Sequence, residues 1–296
     1  MHHSSRITHH ASRITDYGLR ITDYGLRTMW HTLLLYRRLM SVQMRSQMQY
    51  RTAFVLETLS TAVIVAVEFG SVALVLNRFG GIQGWTLAEV AFLYGMSETA
   101  FGFMDMIFAG FDPPVFGQHV RRGTFDQLLL RPVNITAQVM GSEFTLRRLG
   151  KIALGVAIFA FAVQANQIIW TPLKLAYLPI VMFSLFLFFG GLFIIGATIT
   201  FWTVDSIEVM NILTYGSSFT IDYPMTIYPD WIRRFFTFVV PVIFLSYYPA
   251  LYFLDRPELA EAPPFAPFLS PVVGIGLLLA LRFWHFGIRR YQSTGT

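Results

Sequence analysis

The sequence contains no cysteine, which excludes a disulfide framework, a thiolate nucleophile and any Cys-ligated metal. Charge is also scarce. Asp, Glu, Lys and Arg make up 13% of the 296 residues, against roughly 25% in an ordinary soluble domain. Beyond residue 31 the only histidines are His119 and His285. There is no H-E-x-x-H motif and no converging Ser/His/Asp set, which argues against an integral-membrane enzyme. A G-x-x-x-x-G-K-[ST] phosphate loop is missing too: Gly150-Lys151 lacks both the leading Gly and the following Ser or Thr. The chain is therefore not itself an ATPase and is expected to bind no cofactor.

What fills the chain instead is apolar surface, with 54% hydrophobic and 16% aromatic residues. This composition reads as an all-α integral membrane protein. The net charge of +5 is explained by where the arginines fall, so no nucleic-acid partner is expected.

Residues 5–27 form a seven-residue repeat, SRITHHA, SRITDYG, LRITDYG, LR, with Arg6, Arg13, Arg20 and Arg27 in register. The repeat lacks paired apolar heptad positions and contains Gly18 and Gly25, so it is a poor coiled coil. Residues 1–28 read as a disordered tail, with Met29 a candidate natural start, and 29–296 as one membrane domain. The first 30 residues are polar and carry no apolar core of a cleavable signal. From residue 31, Leu33, Tyr36, Met40, Met44 and Met48 fall near one helical face, as in an amphipathic helix lying in the membrane interface.

Six spans are expected: Thr52–Leu76, Leu87–Ala109, a third starting near Thr136 and fully apolar from Ile152 to Val163, Leu173–Thr203, Val209–Ile221 and Phe268–Phe286. Between the last two lies a proline-rich segment with Pro229, Trp231, Pro241 and Pro249. Were it a seventh crossing, the Arg289–Arg290 pair would be exported. The positive-inside rule instead favours six spans with both termini cytoplasmic and residues 229–254 as an external re-entrant hairpin of two half-helices broken near Pro241. Tyr228, Trp231, Tyr247 and Tyr248 then suit the outer interface.

That topology makes residues 112–135 a cytoplasmic loop. Pro113 and Pro114 end the preceding helix and Pro132 fixes the exit. Within HVRRGTFDQLLL, a short helix offers Phe125, Leu128 and Leu129 as an exposed apolar knob beside Arg121 and Arg122, the make-up of a docking surface. The alternative is a loop that merely satisfies the positive-inside rule.

Carboxylates within the spans are costly unless paired or hydrated. Glu57 and Glu68 share one face of the first span, as do Glu98 and Asp105 on the second. They are candidates for a pathway, against a plainer role in which Glu57 and Asp105 pair with Arg147, Arg148 or Lys151. Glu68 divides evenly between a packing hydrogen bond and the translocation surface. Asp205 and Glu208 either meet arginines of the 112–135 loop or stay solvated.

The run RRGTFDQLLLRPVN, the FWHFGIRRYQSTG end, the amphipathic first helix and the proline-rich hairpin together resemble bacterial permeases of the type 2 ABC exporter family, six-span branch. Their signature is R-G-x-[FL]-D-x-x-L-L-[RK]-P-[VL]-[ND], and the likeness spans residues 29–296. It implies an ABC transporter permease of the bacterial plasma membrane that dimerises with itself or a related chain. It further implies two separate ATPase subunits that carry ATP and Mg2+. The coupling helix would be drawn from Arg121, Arg122, Gly123, Thr124, Phe125, Asp126, Gln127, Leu128, Leu129, Leu130, Arg131 and Pro132, and the hairpin would close the external end of the pathway. An ion-coupled carrier or channel is the alternative, and would need no docking loop.

Overall fold

The computed structural model describes residues 32–203 and 207–292. The repeat tail and Asp205 lie outside the described residues. Among these the fold is all-helical, with one isolated bridge, Ile82–Trp85, in a turn.

Helix α1, residues 32–49, is followed by α2, Arg51–Phe79, which stops at Gly80 in the left-handed conformation. Helix α3, Leu87–Phe108, starts from a capping box in which Thr86 and Glu89 satisfy each other's backbone N–H groups. Short helices α4 (Pro113–Arg121), α5 (Thr124–Leu129) and α6 (Ile135–Ser142) lead into α7 (Leu149–Ala165) and α8 (Pro172–Ile199). Then come α9 (Ile207–Asn211), a π turn and α10 (Ser217–Ile221). A bent pair, α11 (Asp230–Phe238) and α12 (Tyr247–Phe253), precedes α13 (Ser270–Gly274) and α14 (Gly276–Arg290).

Among the described residues, three stretches are long and apolar enough to cross a membrane: Arg51–Phe79, Pro172–Ile199 and Ala266–Arg290. A fourth is available if the pair Asp230–Phe238 and Val242–Phe253 counts as one span. These halves meet at 79°, around the Pro241 break that the sequence predicts.

Helix α3 is the centre of the core, buried from Val90 to Phe101 and flanked chiefly by α7 and α8. Close packing against α7 requires glycine: a Cβ on Gly95 would stand 2.5 Å from the Phe159 backbone nitrogen. Small residues let membrane helices approach in this way. By contrast α2 is only 11% buried over its apolar window, so most of its surface faces outward.

The expected third span is not continuous. Helix α6 ends at Ser142, residues 143–145 are extended, and α7 begins only at Leu149 after a single 3-10 turn. The physical reason lies in α1. Gln43 and Gln47 donate their side-chain amides to the carbonyls of Ser142 and Phe144, and Gln47 Oε1 accepts the Leu146 N–H at 2.9 Å. Backbone groups freed by the break are satisfied from outside the helix.

Candidate functional site

Helices α4 and α5 are joined by Gly123, whose φ of +65° suits a residue without a Cβ. The turn points the α5 side chains back toward the bundle. Thr124 Oγ1 lies 2.9 Å from His119 Nδ1, and burial holds that imidazole below its ordinary pKa.

The structure corrects the expected apolar knob. Phe125 is fully buried, in an aromatic cage made of Phe116 at 5.4 Å, Phe201 at 5.1 Å, Trp284 at 6.2 Å and Tyr291 at 5.0 Å between ring centroids. Exposing a benzyl group while four rings stand ready to cover it would forfeit a few kcal/mol of burial. What remains outside is the far end of the helix: Leu129 is 41% exposed and Leu130 84%. Arg121, Arg122, Gln127, Arg131 and Pro132 are exposed around them, with Leu128 half-buried.

Neighbouring contacts hold the stretch in place. Burial, reinforced by the nearby Asp126 carboxylate, pushes the Tyr291 hydroxyl pKa up to about 12. Asn134 caps α6 by accepting the Ala137 N–H at 3.1 Å. Gln138 reaches back to the carbonyls of Leu128 and Val133 at 3.3 and 3.2 Å. Trp284 Nε1–H donates to Thr136 Oγ1 at 3.1 Å. The exposed tip is therefore rigidly tied to α4, α6, the end of α8 and the end of α14.

Asp112 marks the start of α4. Its Oδ2 accepts the Tyr215 hydroxyl at 3.0 Å, and burial, reinforced by Asp105, raises its pKa to about 6.

The carboxylates of α3 are paired. Asp105 meets Arg148 Nε at 2.7 Å and Glu98 meets Lys151 Nζ at 3.0 Å, with the Lys151 ammonium 4.7 Å above the Phe101 ring. The two ion pairs clip α3 to the start of α7. Asp105 thus takes the plainer of its two expected roles. Glu57 is exposed on α2. Glu68 Oε2 lies 3.5 Å from the Tyr94 hydroxyl. Glu208 is exposed at the start of α9. The sequence reading missed Asp222, which is buried beside this group: it sits in IDYPM, where a following proline suggests a loop.

At the opposite end of the bundle, Arg256 binds Glu89 at 2.9 Å, Glu258 at 2.5 Å and the Gly84 carbonyl at 3.0 Å, over the face of Trp85. Lys174 is buried, joining Asp255 at 2.6 Å and the Phe253 carbonyl at 3.1 Å. These bonds fasten the end of the bent pair to α3 and α8. Within the pair, Pro229 and Trp231 are exposed, Pro249 is buried and Pro241 starts the turn between the halves. Arg233 pairs with Asp230 and lowers its carboxyl pKa. A cavity of about 450 Å3 lies between α11 and the 258–262 segment.

Residues 62–295 match a family model described as ABC-2 family transporter protein. Compared with curated proteins and with solved structures, the chain finds no match in either.

Proposed function

Because the chain belongs to the ABC-2 family of transporter proteins, we propose that it is the membrane-spanning permease subunit of an ATP-driven exporter and receives its energy from a separate ATPase subunit. The observation that carries this reading is the tip Leu129–Leu130–Arg131. It is an apolar pair with a cation beside it, exposed although Phe125, one turn earlier, is locked into the core. An exposed leucine pair on a rigid mount fits a groove on a partner.

In this reading the tip is the coupling helix, six spans cross a bacterial plasma membrane and both termini are cytoplasmic. Two copies of the permease, or this chain and a related one, bind two ATPase subunits that hold ATP and Mg2+. Closure of the ATPase dimer pushes on Leu129 and Leu130. Phe125 passes the displacement to Phe201 at the end of α8 and to Trp284 and Tyr291 at the end of α14, so two long helices move together. The proline-broken pair α11–α12, fastened by Arg256 and Lys174, closes the outer end.

Co-expression with the candidate ATPase, followed by purification in detergent, tests this. Co-purification and ATP turnover are expected for the native chain, with both reduced at least tenfold by Leu130→Asp. Undiminished association of the variant would contradict the assignment of the tip.

A further inference from the structure

Along α2, Glu68, Ser71, Val72 and Val75 lie at i, i+3, i+4 and i+7, on one helical face. Ser71, Val72 and Val75 form one wall of a groove of about 360 Å3, and Ile82, Tyr223, Ile227 and Tyr228 form the rest. That volume falls in the lower part of the range for small-molecule sites, about 300–1,000 Å3. The walls are apolar apart from the tyrosine rings and the Ser71 hydroxyl, which donates to the Val67 carbonyl at 2.7 Å.

Charge gathers beside the lining residues. Glu68 sits one turn before Val72, and its Oε2 touches the Tyr94 hydroxyl. Asp222 adjoins Tyr223 in the chain and is 2% exposed. Among the described residues its Oδ1 has no hydrogen-bond partner. Asp222 is close enough to Glu98, Lys151 and Glu68 to feel all three charges, with Ser97 beside it. The ammonium of Lys151, however, is held by Glu98 at 3.0 Å. Three carboxylates, all close enough to the lining residue Tyr223 to act on it electrostatically, therefore share one cation beside an apolar groove, an arrangement that costs several kcal/mol unless further positive charge or a proton arrives.

We propose that this groove binds an amphipathic cation, an alkyl or aryl ammonium whose apolar part lies along Val72, Val75 and Ile227 while its charge faces Glu68 and Asp222. The rings of Tyr223 and Tyr228 add cation–π attraction. A neutral amphiphile leaves the carboxylates uncompensated and an anionic one is repelled, so charge decides selectivity. The role of the site in export rests on the permease reading above; its ligand chemistry does not.

The test is calorimetric titration of the protein, in nanodiscs of phosphatidylcholine, with decyltrimethylammonium and with decyl sulfate. Saturable binding of the cation beyond empty discs is expected, at least tenfold tighter than the sulfate. Glu68→Gln and Asp222→Asn should each weaken the cation at least fivefold. Val75→Trp, which fills the groove and leaves both carboxylates in place, should abolish binding, whereas Val156→Trp on α7 should not. Equal affinity for cation and sulfate, or binding untouched by Val75→Trp, would overturn the proposal, as would absence of saturable binding. Co-purification of the ATPase is scored on the same samples. ATPase association without cation binding removes this inference alone, and cation binding without an ATPase removes the permease reading alone.

Discussion

The ring of Phe125 stands edge-on to that of Tyr291, 5.0 Å between centroids, and so joins α5 of the basic stretch to the residue that follows α14. A single aromatic contact thus bridges the middle of the chain and its C-terminal end. Truncating it opens a cavity in a five-ring cluster, and such cavities cost about 3–5 kcal/mol. Phe125→Ala should lower the thermal midpoint in detergent strongly, while Leu130→Ala should leave it nearly unchanged, a stability change of about 0.5 kcal/mol or less.

The ion pairs between α3 and α7 make a second prediction. Removing one partner leaves a buried charge alone and typically costs about 3–5 kcal/mol, while replacing both by apolar residues costs less or nothing. Lys151→Met should therefore destabilise the protein more than the double variant Lys151→Met, Glu98→Leu. A double-mutant cycle read by chemical denaturation checks this, and a strictly additive pair would count against the Lys151–Glu98 contact.

Asp112 predicts a pH effect. Its folded pKa of about 6 exceeds the ordinary carboxylate value near 3.9, so the folded state binds more protons between those limits. Stability from this group is present below about pH 4 and is lost as pH rises through about 6, a change of roughly 3 kcal/mol at most. Asp112→Asn should raise the thermal midpoint at pH 8 relative to the native chain and narrow the difference between them at pH 4.5. A constant offset at both values would refute the buried carboxylate as the cause.

Gly95 predicts a packing effect. A Cβ there meets the Phe159 backbone at 2.5 Å, and main chain cannot swing aside as a side chain can. Gly95→Leu should separate α3 from α7 and cost about 3 kcal/mol or more, at the upper end for overpacked cores. Gly70→Leu, where nothing lies within 4 Å, should be tolerated.

The parts of this fold that were legible in the sequence are those set by local chemistry. Pro241 breaks the hairpin, and the seven-residue spacing of Glu98 and Asp105 puts both on one face; the single helix expected across residues 119–130 is instead split at Gly123 into α4 and α5, and it is Glu98, not Glu57, that meets Lys151. Burial of Phe125 was not legible, because its partners Phe116, Phe201, Trp284 and Tyr291 come from four separate stretches and look in isolation like lipid-facing rings. Likewise the break at 143–148 depends on Gln43 and Gln47, nearly a hundred residues earlier. Asp222 escaped notice for a related reason: it lies beside Ser97 and Glu98 of α3, and nothing in IDYPM signals them.

The most direct measurement of the central claim uses the absence of native cysteine. A single thiol at Leu130, paired with one in the groove of the partner ATPase, reports on contact between the exposed tip and the motor. A nucleotide-dependent disulfide that stops ATP turnover, with recovery on reduction, is the predicted result. No crosslink at Leu130 or Leu129, with full turnover under oxidising conditions, would contradict docking through this tip.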